Sequence, residues 1–157
     1  MAYDERFLRE AIRLSMDGAR SADGGPFGAV VTRNGRVVGR GRNLVASAKD
    51  PTAHAEVVAI RAACSALGSF SLSGCEIYAS CEPCPMCLSA IYWARLDALH
   101  FAASREDAAA AGFDDAFLYE EVGKSPETRA LPSEQRLREA AQAAFRQWAD
   151  NPRRTEY

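Results

Sequence analysis

The strongest constraint on the fold is a set of metal-binding residue types in two separate segments. His54 and Glu56 stand in a His-Ala-Glu sequence at the predicted start of one helix. Cys84 and Cys87 are three residues apart in the first turn of a second predicted helix, which Pro83 is expected to open, so both thiols share one helix face. The positive end of the helix dipole favours their thiolates. The fold is therefore expected to bring two helix N-termini together around one cation.

One imidazole and two thiolates form a zinc site with an open position. Zinc prefers four tetrahedral ligands, and a site with three protein ligands keeps the fourth position for water. The sequence Cys81-Glu82-Pro83-Cys84 is an overlapping C-x-x-C, but we favour Cys84 and Cys87 as the ligands. A closed zinc site that only stabilises the fold would need Cys81 or His100 as a fourth ligand. The expected role of the remaining cysteines is that of small buried hydrophobic side chains: Cys64, Cys75 and Cys81.

Glu56 distinguishes a reactive metal site from a structural one. At a helix tip, His54 and Glu56 can both reach one pocket, which suits one metal ligand and one proton carrier. Together with the cysteines, they match the H-x-E and P-C-x-x-C signature of zinc nucleobase deaminases. Zinc lowers the pKa of bound water toward ~7, and Glu56 is expected to take a proton from this water. The zinc-bound hydroxide would attack an amidine-type ring carbon, and Glu56 would protonate the ring nitrogen and the leaving amine.

Apolar periodicity and turn signals predict alternating helices and strands. Residues 4–20 read as an amphipathic helix capped by Asp4, and Asn34-Gly35 between β-prone runs predicts a hairpin. Such alternation indicates an α/β fold in which helices cover both faces of a sheet. The other predicted elements are a helix over about 53–67 ended by Gly68, a strand at 76–79, the helix from Pro83, a strand at 98–102, an irregular stretch at 104–132 and a last helix with an apolar stripe from Leu137 to Trp148.

Length and composition exclude several classes of protein. A chain of 157 residues is expected to form one domain. Its net charge of −2 argues against sequence-independent nucleic-acid binding, which needs clustered lysine and arginine. No apolar run approaches the ~18 residues of a membrane span, and the first residues lack a signal-peptide pattern, so we expect a cytoplasmic protein. In a reducing compartment the 5 clustered cysteines indicate metal binding before disulfides.

Longer stretches of the chain resemble the small bacterial guanine deaminases of the cytidine deaminase-like superfamily. The resemblance implies conversion of guanine and water to xanthine and ammonia, with one Zn²⁺ per subunit. It also implies a three-layer α-β-α sandwich with a mixed sheet of about five strands. Residues 1–157 would form one zinc-dependent deaminase domain and a homodimer, in which 133–157 form a C-terminal helix and tail that crosses to the partner. The matching stretches are 24–30, 50–56, 80–87, 90–95 and 111–115, with Phe145, Trp148, Glu156 and Tyr157 near the end.

The same resemblance implies a set of base-binding residues. An amide can meet the O6 acceptor of guanine, while a carboxylate can accept from the ring N–H or the leaving amine. Each residue has a plainer alternative: a loop cap, a solvated turn, a frayed terminus or an ordinary core position. The set consists of Asn43 and Asp115 as polar contacts, Ala55 between the histidine and the glutamate, Tyr157 from the other subunit, and Phe27 and Trp93 as aromatic neighbours.

Other functions remain open on the sequence alone. Guanosine, cytosine and transfer-RNA adenosine are alternative substrates, although the lack of a basic stripe weighs against RNA. A zinc-stabilised binding module without activity belongs to a different class. Glu56 and the shortage of a fourth metal ligand argue against that module.

Overall fold

A computed structural model describes residues 3–157 of the chain, which divides into two compact units, Met1–Asp115 and Ala116–Tyr157. The first unit contains a sheet and most of the helices. Within residues 3–157, no helix is both long enough and apolar enough to cross a membrane. The elements of the first unit are α1 (Glu5–Ala19), β1 (Gly28–Arg33), β2 (Arg36–Arg42), α2 (Val45–Ala48), α3 (Ala55–Leu67), β3 (Cys75–Cys81), α4 (Pro85–Trp93), β4 (Ala98–Ala103) and α5 (Arg105–Ala110).

The sheet of the first unit is mixed, with the strand order β2-β1-β3-β4. Strand β1 is antiparallel to both β2 and β3, whereas β3 and β4 are parallel. The predicted hairpin between β1 and β2 is confirmed. Asn34 and Gly35 both have positive φ, 51° and 72°, as a tight two-residue turn between twisted strands requires.

Helices cover both faces of this sheet. Alternate residues of β1 point to opposite sides, and each side packs against a helix. Ala29 and Val31 belong to a buried cluster with three alanines of α3 and with Ile91 of α4. Gly28 lies on the opposite face, where the backbone of Ala11 in α1 leaves no room for a side chain. The predicted α/β layering with a mixed sheet is therefore confirmed, with four strands among the described residues against about five expected.

Two glycines let α3 approach the sheet closely. A Cβ on Gly39 would lie 2.7 Å from the backbone nitrogen of Ala63, and one on Gly41 would collide with the carbonyl of Ala55. Helix α3 therefore rests directly on the backbone of β2. This contact fixes the N-terminal end of α3, where His54 and Glu56 lie.

The second unit is helical. It contains α6 (Ala116–Val122), a short 3₁₀ turn (Pro126–Thr128) and α7 (Arg138–Asp150). The predicted last helix is confirmed, and Asn151 ends it as expected. Its apolar stripe is exposed in the single chain, since Phe145 and Trp148 are 75% and 46% exposed. The predicted single domain of 1–157 stays a prediction beside this division into two units.

Candidate metal centre and active site

The two metal-binding segments each lie at the start of a helix, although both helices begin two residues later than predicted. His54 is the N-cap of α3 and Cys84 is the N-cap of α4. Pro83 does not open α4; Pro85 takes its first position, where a missing N–H costs nothing. A residue before proline is held in extended conformation, and Cys84 has φ −65° and ψ 168°. Both side chains therefore stand at helix tips, where they can face a common point.

The three predicted ligands converge with spacings that fit zinc. His54 Nδ1 lies 3.6 Å from Cys84 Sγ and 3.5 Å from Cys87 Sγ. Tetrahedral zinc with usual Zn–N and Zn–S bond lengths places such a nitrogen and sulfur about 3.6 Å apart. All three ligand atoms lie within 4.8 Å of one another, and within residues 3–157 no other group of three metal-binding side chains does so. The donor set and its geometry therefore fit a zinc ion.

Hydrogen bonds among these side chains favour the thiolate form of Cys84. A hydrogen bond from the Cys87 thiol, with further help from His54, lowers the pKa of Cys84 to about 4. The same bond raises the pKa of Cys87, because its thiol is the donor. The Cys84 sulfur in turn raises the pKa of His54. A cation that binds here must displace the protons held by the Cys87 thiol and the His54 ring, so its affinity falls at low pH.

Glu56 lies in the first turn of α3 and is only 7% exposed. Burial raises the pKa of its carboxyl, while hydrogen bonds from its own N–H and from the Cys87 thiol act in the opposite direction. The carboxyl therefore adjoins the ligand group without belonging to it. A buried carboxyl with a raised pKa beside a metal position is suited to taking up and returning a proton.

The two candidates for a fourth ligand are engaged elsewhere. The Cys81 thiol donates to the carbonyl of Ser104 at 3.4 Å, and burial raises its pKa to about 11. His100 Nε2 lies 3.5 Å from Glu76 Oε2, and its ring stacks on Tyr78 at 4.6 Å. Among the described residues, the ligand group therefore has three members and an open fourth position.

Within residues 3–157, the other cysteines lie outside the group of metal ligands. All are free thiols, and burial raises the pKa of both Cys64 and Cys75. Cys75 and Cys81 are buried as expected, whereas Cys64 is half-buried.

Asn43 follows β2 directly and is buried, with 6% of its surface exposed. Its Oδ1 accepts hydrogen bonds from the backbone N–H groups of Gly25 and Val45, both at 3.2 Å. These bonds fix which end of the amide is oxygen, so the NH₂ group is the end left to meet an acceptor. The next residue donates its N–H to the carbonyl of Ala53 at 3.0 Å, which places this loop beside the start of α3.

Asp115 and Phe27 also lie on the first unit. Asp115 is half-buried, and burial, followed by repulsion from Cys84, raises the pKa of its carboxyl. This carboxyl is therefore within electrostatic reach of the metal ligands. Phe27 is partly buried and packs against the core cluster.

The structure does not bring every predicted base-binding residue to the ligands. Trp93 ends α4 and is 64% exposed. It lies nine positions after Cys84, which is on the order of 13 Å along the helix axis. Tyr157 belongs to the second unit and is 72% exposed. Ala55 is fully buried at the first position of α3, where a helix leaves the N–H without an intrahelical acceptor.

Sequence patterns did not predict two features that support the site. A side chain on Gly24 would collide with Asn43 Oδ1, so the double glycine at 24–25 is what lets the loop close on this amide. Phe113 contacts Phe27, and no local pattern links residues so far apart. The Gly24-Gly25 pair before a strand was the available signal for the first feature.

Comparisons with known proteins agree with this geometry. Residues 1–103 match the family described as the cytidine and deoxycytidylate deaminase zinc-binding region. The chain therefore belongs to this zinc-binding deaminase family, whose α/β fold it shares.

Within that family, the chain belongs with the small bacterial guanine deaminases. It is 48% identical to the guanine deaminase of Bacillus subtilis (strain 168) over 153 residues, which cover 98% of each chain. The X-ray structure of guanine deaminase from Bacillus subtilis superposes with a TM-score of 0.96 at 47% identity and covers 99% of each chain. A tRNA-specific adenosine deaminase of Aquifex aeolicus is 40% identical over 101 residues, which cover 63% of this chain and 65% of that protein.

Proposed function

We propose that this chain is a zinc-dependent enzyme that hydrolyses guanine to xanthine and ammonia. The observation that carries the proposal is the buried Glu56 carboxyl beside a group of only three metal ligands. A structural zinc site needs four protein ligands and no proton carrier. The relative named guanine deaminase, which matches this chain from end to end, supports guanine as the substrate.

His54, Cys84 and Cys87 would hold one zinc ion per subunit. When bound, the zinc lowers the pKa of a water molecule toward ~7 and so makes it a nucleophile at neutral pH. Glu56 takes the proton from the attacking water. The same carboxyl passes this proton to the ring nitrogen, then takes the second proton of the added water and delivers it to the leaving amine, which departs as ammonia. Its raised pKa suits this exchange, because burial makes the carboxylate a stronger proton acceptor.

The base would be held by residues of the adjoining loops. The Asn43 NH₂ group donates to O6 of guanine, since its oxygen is already engaged. Asp115 accepts from a ring N–H or from the amine, and the N–H of Ala55 adds a donor at the tip of α3. Phe27 supplies an apolar wall. Tyr157 is proposed to close the pocket from a second copy of the chain, and Trp93 is proposed as an aromatic neighbour of the pocket.

Exchanging the Asn43 amide for a carboxylate should lower kcat/KM for guanine by about 100-fold, because an acceptor then faces O6 in place of a donor. Asn43→Asp keeps an oxygen for the N–H groups of Gly25 and Val45, so the loop should keep its conformation. Steady-state kinetics on guanine measure the change. Asn34→Asp in the β1–β2 turn makes the same exchange away from the site and should stay within about twofold. Equal losses in both variants would exclude the proposed contact.

We further propose a homodimer in which residues 133–157 cross to the partner. The exposed apolar stripe of α7 supports this proposal, since large apolar patches on soluble chains usually mark an interface. Light scattering should give about twice the chain mass of 17.0 kDa. A monomeric mass at micromolar concentration would contradict the dimer, and a dimer that keeps its mass after residues 133–157 are removed would contradict the crossing.

Alternative substrates within this chemistry are guanosine, cytosine and, less strongly, the adenosine of transfer RNA. The matching tRNA-specific deaminase covers 63% of the chain, whereas the guanine deaminase covers 98%. The net charge of −2 also gives no general attraction for RNA. A free purine base in the cytoplasm therefore remains the preferred substrate, with no nucleic-acid or membrane partner.

Incubation of the zinc-loaded protein with guanine tests the proposal. Chromatography should show xanthine replacing guanine, and an ammonia assay should give one ammonia per xanthine. Fully zinc-loaded protein that leaves guanine intact would contradict the proposed function and favour a zinc-stabilised binding module.

A further inference from the structure

Two phenylalanines outside the metal ligands are in direct contact on the first unit. The rings of Phe27 and Phe113 are 5.0 Å apart and nearly perpendicular, at 86°. This edge-to-face arrangement is the one that aromatic rings prefer. Gly25 lies against both rings, because a Cβ there would be 3.0 Å from Phe27 and 3.2 Å from Phe113. The contact therefore joins the loop before β1 to the segment after α5.

Hydrogen bonds connect the Phe27 segment to Asn43. The carbonyl of Phe27 accepts from the backbone N–H of Asn43 at 3.1 Å. The N–H of Gly25, two residues before Phe27, donates to Asn43 Oδ1 at 3.2 Å. A shift of the Phe27 segment would therefore move the amide that we propose as the O6 contact.

Phe113, the other member of the contact, stands two residues before Asp115 in the chain. The N–H of Phe113 donates to the carbonyl of Ala108 at 2.9 Å, which ties it to the end of α5. Gly112 makes the turn between them with φ +94°. The start of α5 is anchored in turn, because the N–H of Arg105 donates to Glu82 at 3.2 Å. Phe113 is thus held at the base of the segment that carries Asp115.

We propose that Phe113 is a positioning residue for the base pocket, which acts through its edge-to-face contact with Phe27. This contact sets the separation between Asn43 and Asp115, so that both polar groups meet one flat purine at the same time. The proposal rests on the proposed function. It assigns Phe113 no contact with the reacting atoms.

The kinetic test compares Phe113→Leu with wild type on guanine. Loss of an aromatic pair should raise KM by about 3- to 10-fold, with kcat changed by less than about twofold, because the contact serves ground state and transition state alike. Phe113→Tyr keeps the ring and should restore KM. Phe101→Leu is the matched control, since Phe101 is 45% exposed and Phe113 is 44% exposed, and it should leave KM unchanged.

A double-mutant cycle decides whether Phe113 works through Asp115. If it does, adding Phe113→Leu to Asp115→Ala should change KM by less than about twofold. An equal rise in KM in both backgrounds, or a KM for Phe113→Leu that matches Phe101→Leu, would overturn the proposal.

Amide hydrogen exchange tests the same contact without turnover. Phe113→Leu should speed exchange in residues 24–28 and 43–45 as well as in 111–115, because the two loops share one contact. Faster exchange confined to 111–115 would overturn the proposal. If the wild type itself leaves guanine unchanged, the proposed function fails, and exchange alone decides the role of Phe113.

Discussion

Glu56→Gln should lower kcat on guanine by about 10²- to 10⁴-fold while the protein keeps its zinc. Glutamine has the shape of glutamate but cannot take a proton from the attacking water or return one to the leaving amine. His54, Cys84 and Cys87 are untouched by the change. Steady-state kinetics and metal analysis on the same preparation measure both quantities.

The stability of the Glu56→Gln variant provides a second, independent expectation. Burial raises the pKa of the Glu56 carboxyl, so the folded state holds this proton more tightly than the unfolded chain does. Stability is therefore lost as the pH rises from the unfolded pKa through the folded one. Glutamine has no carboxyl to ionise, so it avoids the cost of a buried charge. The chelator-treated variant should therefore melt no lower than chelator-treated wild type at pH 7.

Glu76→Gln is the matched control for this variant. Glu76 is also a buried glutamate, 3% exposed, but it lies in β3 and accepts a hydrogen bond from Tyr78. The control should lose some stability and keep kcat within about threefold. The assigned role of Glu56 would be wrong if Glu56→Gln kept more than about a tenth of wild-type kcat at full zinc content.

Cys87→Ser should weaken zinc binding by at least about 100-fold and abolish turnover in proportion to the zinc lost. The change removes one of two thiolates from a site with only three ligands. It also removes the thiol that stabilises the Cys84 thiolate and bonds Glu56. Competition with a chromogenic chelator measures the affinity, and turnover is followed on the same samples.

Cys75→Ser separates the loss of a ligand from the loss of a buried sulfur. Cys75 and Cys87 are both fully buried, but Cys75 lies at the start of β3 and outside the ligand group. Its serine variant should keep zinc and turnover. If Cys87→Ser bound zinc as tightly as Cys75→Ser does, the three-ligand site would be contradicted.

Short-range signals predicted much of the fold. Asp4 caps α1 as expected, with its side chain accepting from the N–H of Arg6, and Asn34-Gly35 makes the hairpin. Gly68 ends α3 in the left-handed conformation. Each of these depends on one or two residues whose chemistry allows few alternatives, so the sequence alone was sufficient.

Features that depend on several competing signals were predicted less well. Pro83 and Pro85 both could have opened α4, and only the extended conformation imposed on Cys84 by Pro85 decides between them. Residues 104–132 show no regular apolar period in the sequence, because α5 and α6 have six and seven residues, too few for a clear helical period.

The metal ligands were predictable because their residue types and spacing are specific to one chemistry. The base-binding residues were not, since an asparagine, an aspartate and an aromatic residue serve many purposes. The contact of Phe27 with Phe113 arises only when distant segments pack. Trp93 lies at the far end of α4 from Cys84.

The most direct test of the account is the ratio of kcat/KM for guanine to that for guanosine, adenine and cytosine, measured by ammonia release from zinc-loaded wild-type protein. A site whose buried polar groups are paired by one base rejects analogues that leave them unpaired, by up to about 10⁴-fold. We expect a preference for guanine of at least about 100-fold over adenine and cytosine, and slower turnover of guanosine than of guanine. Equal or faster turnover of adenine or cytosine would keep the metal chemistry and contradict the pocket formed by Asn43 and Asp115. Equal or faster turnover of guanosine, which has the same O6, ring N–H and amine, would instead contradict the free base as the substrate.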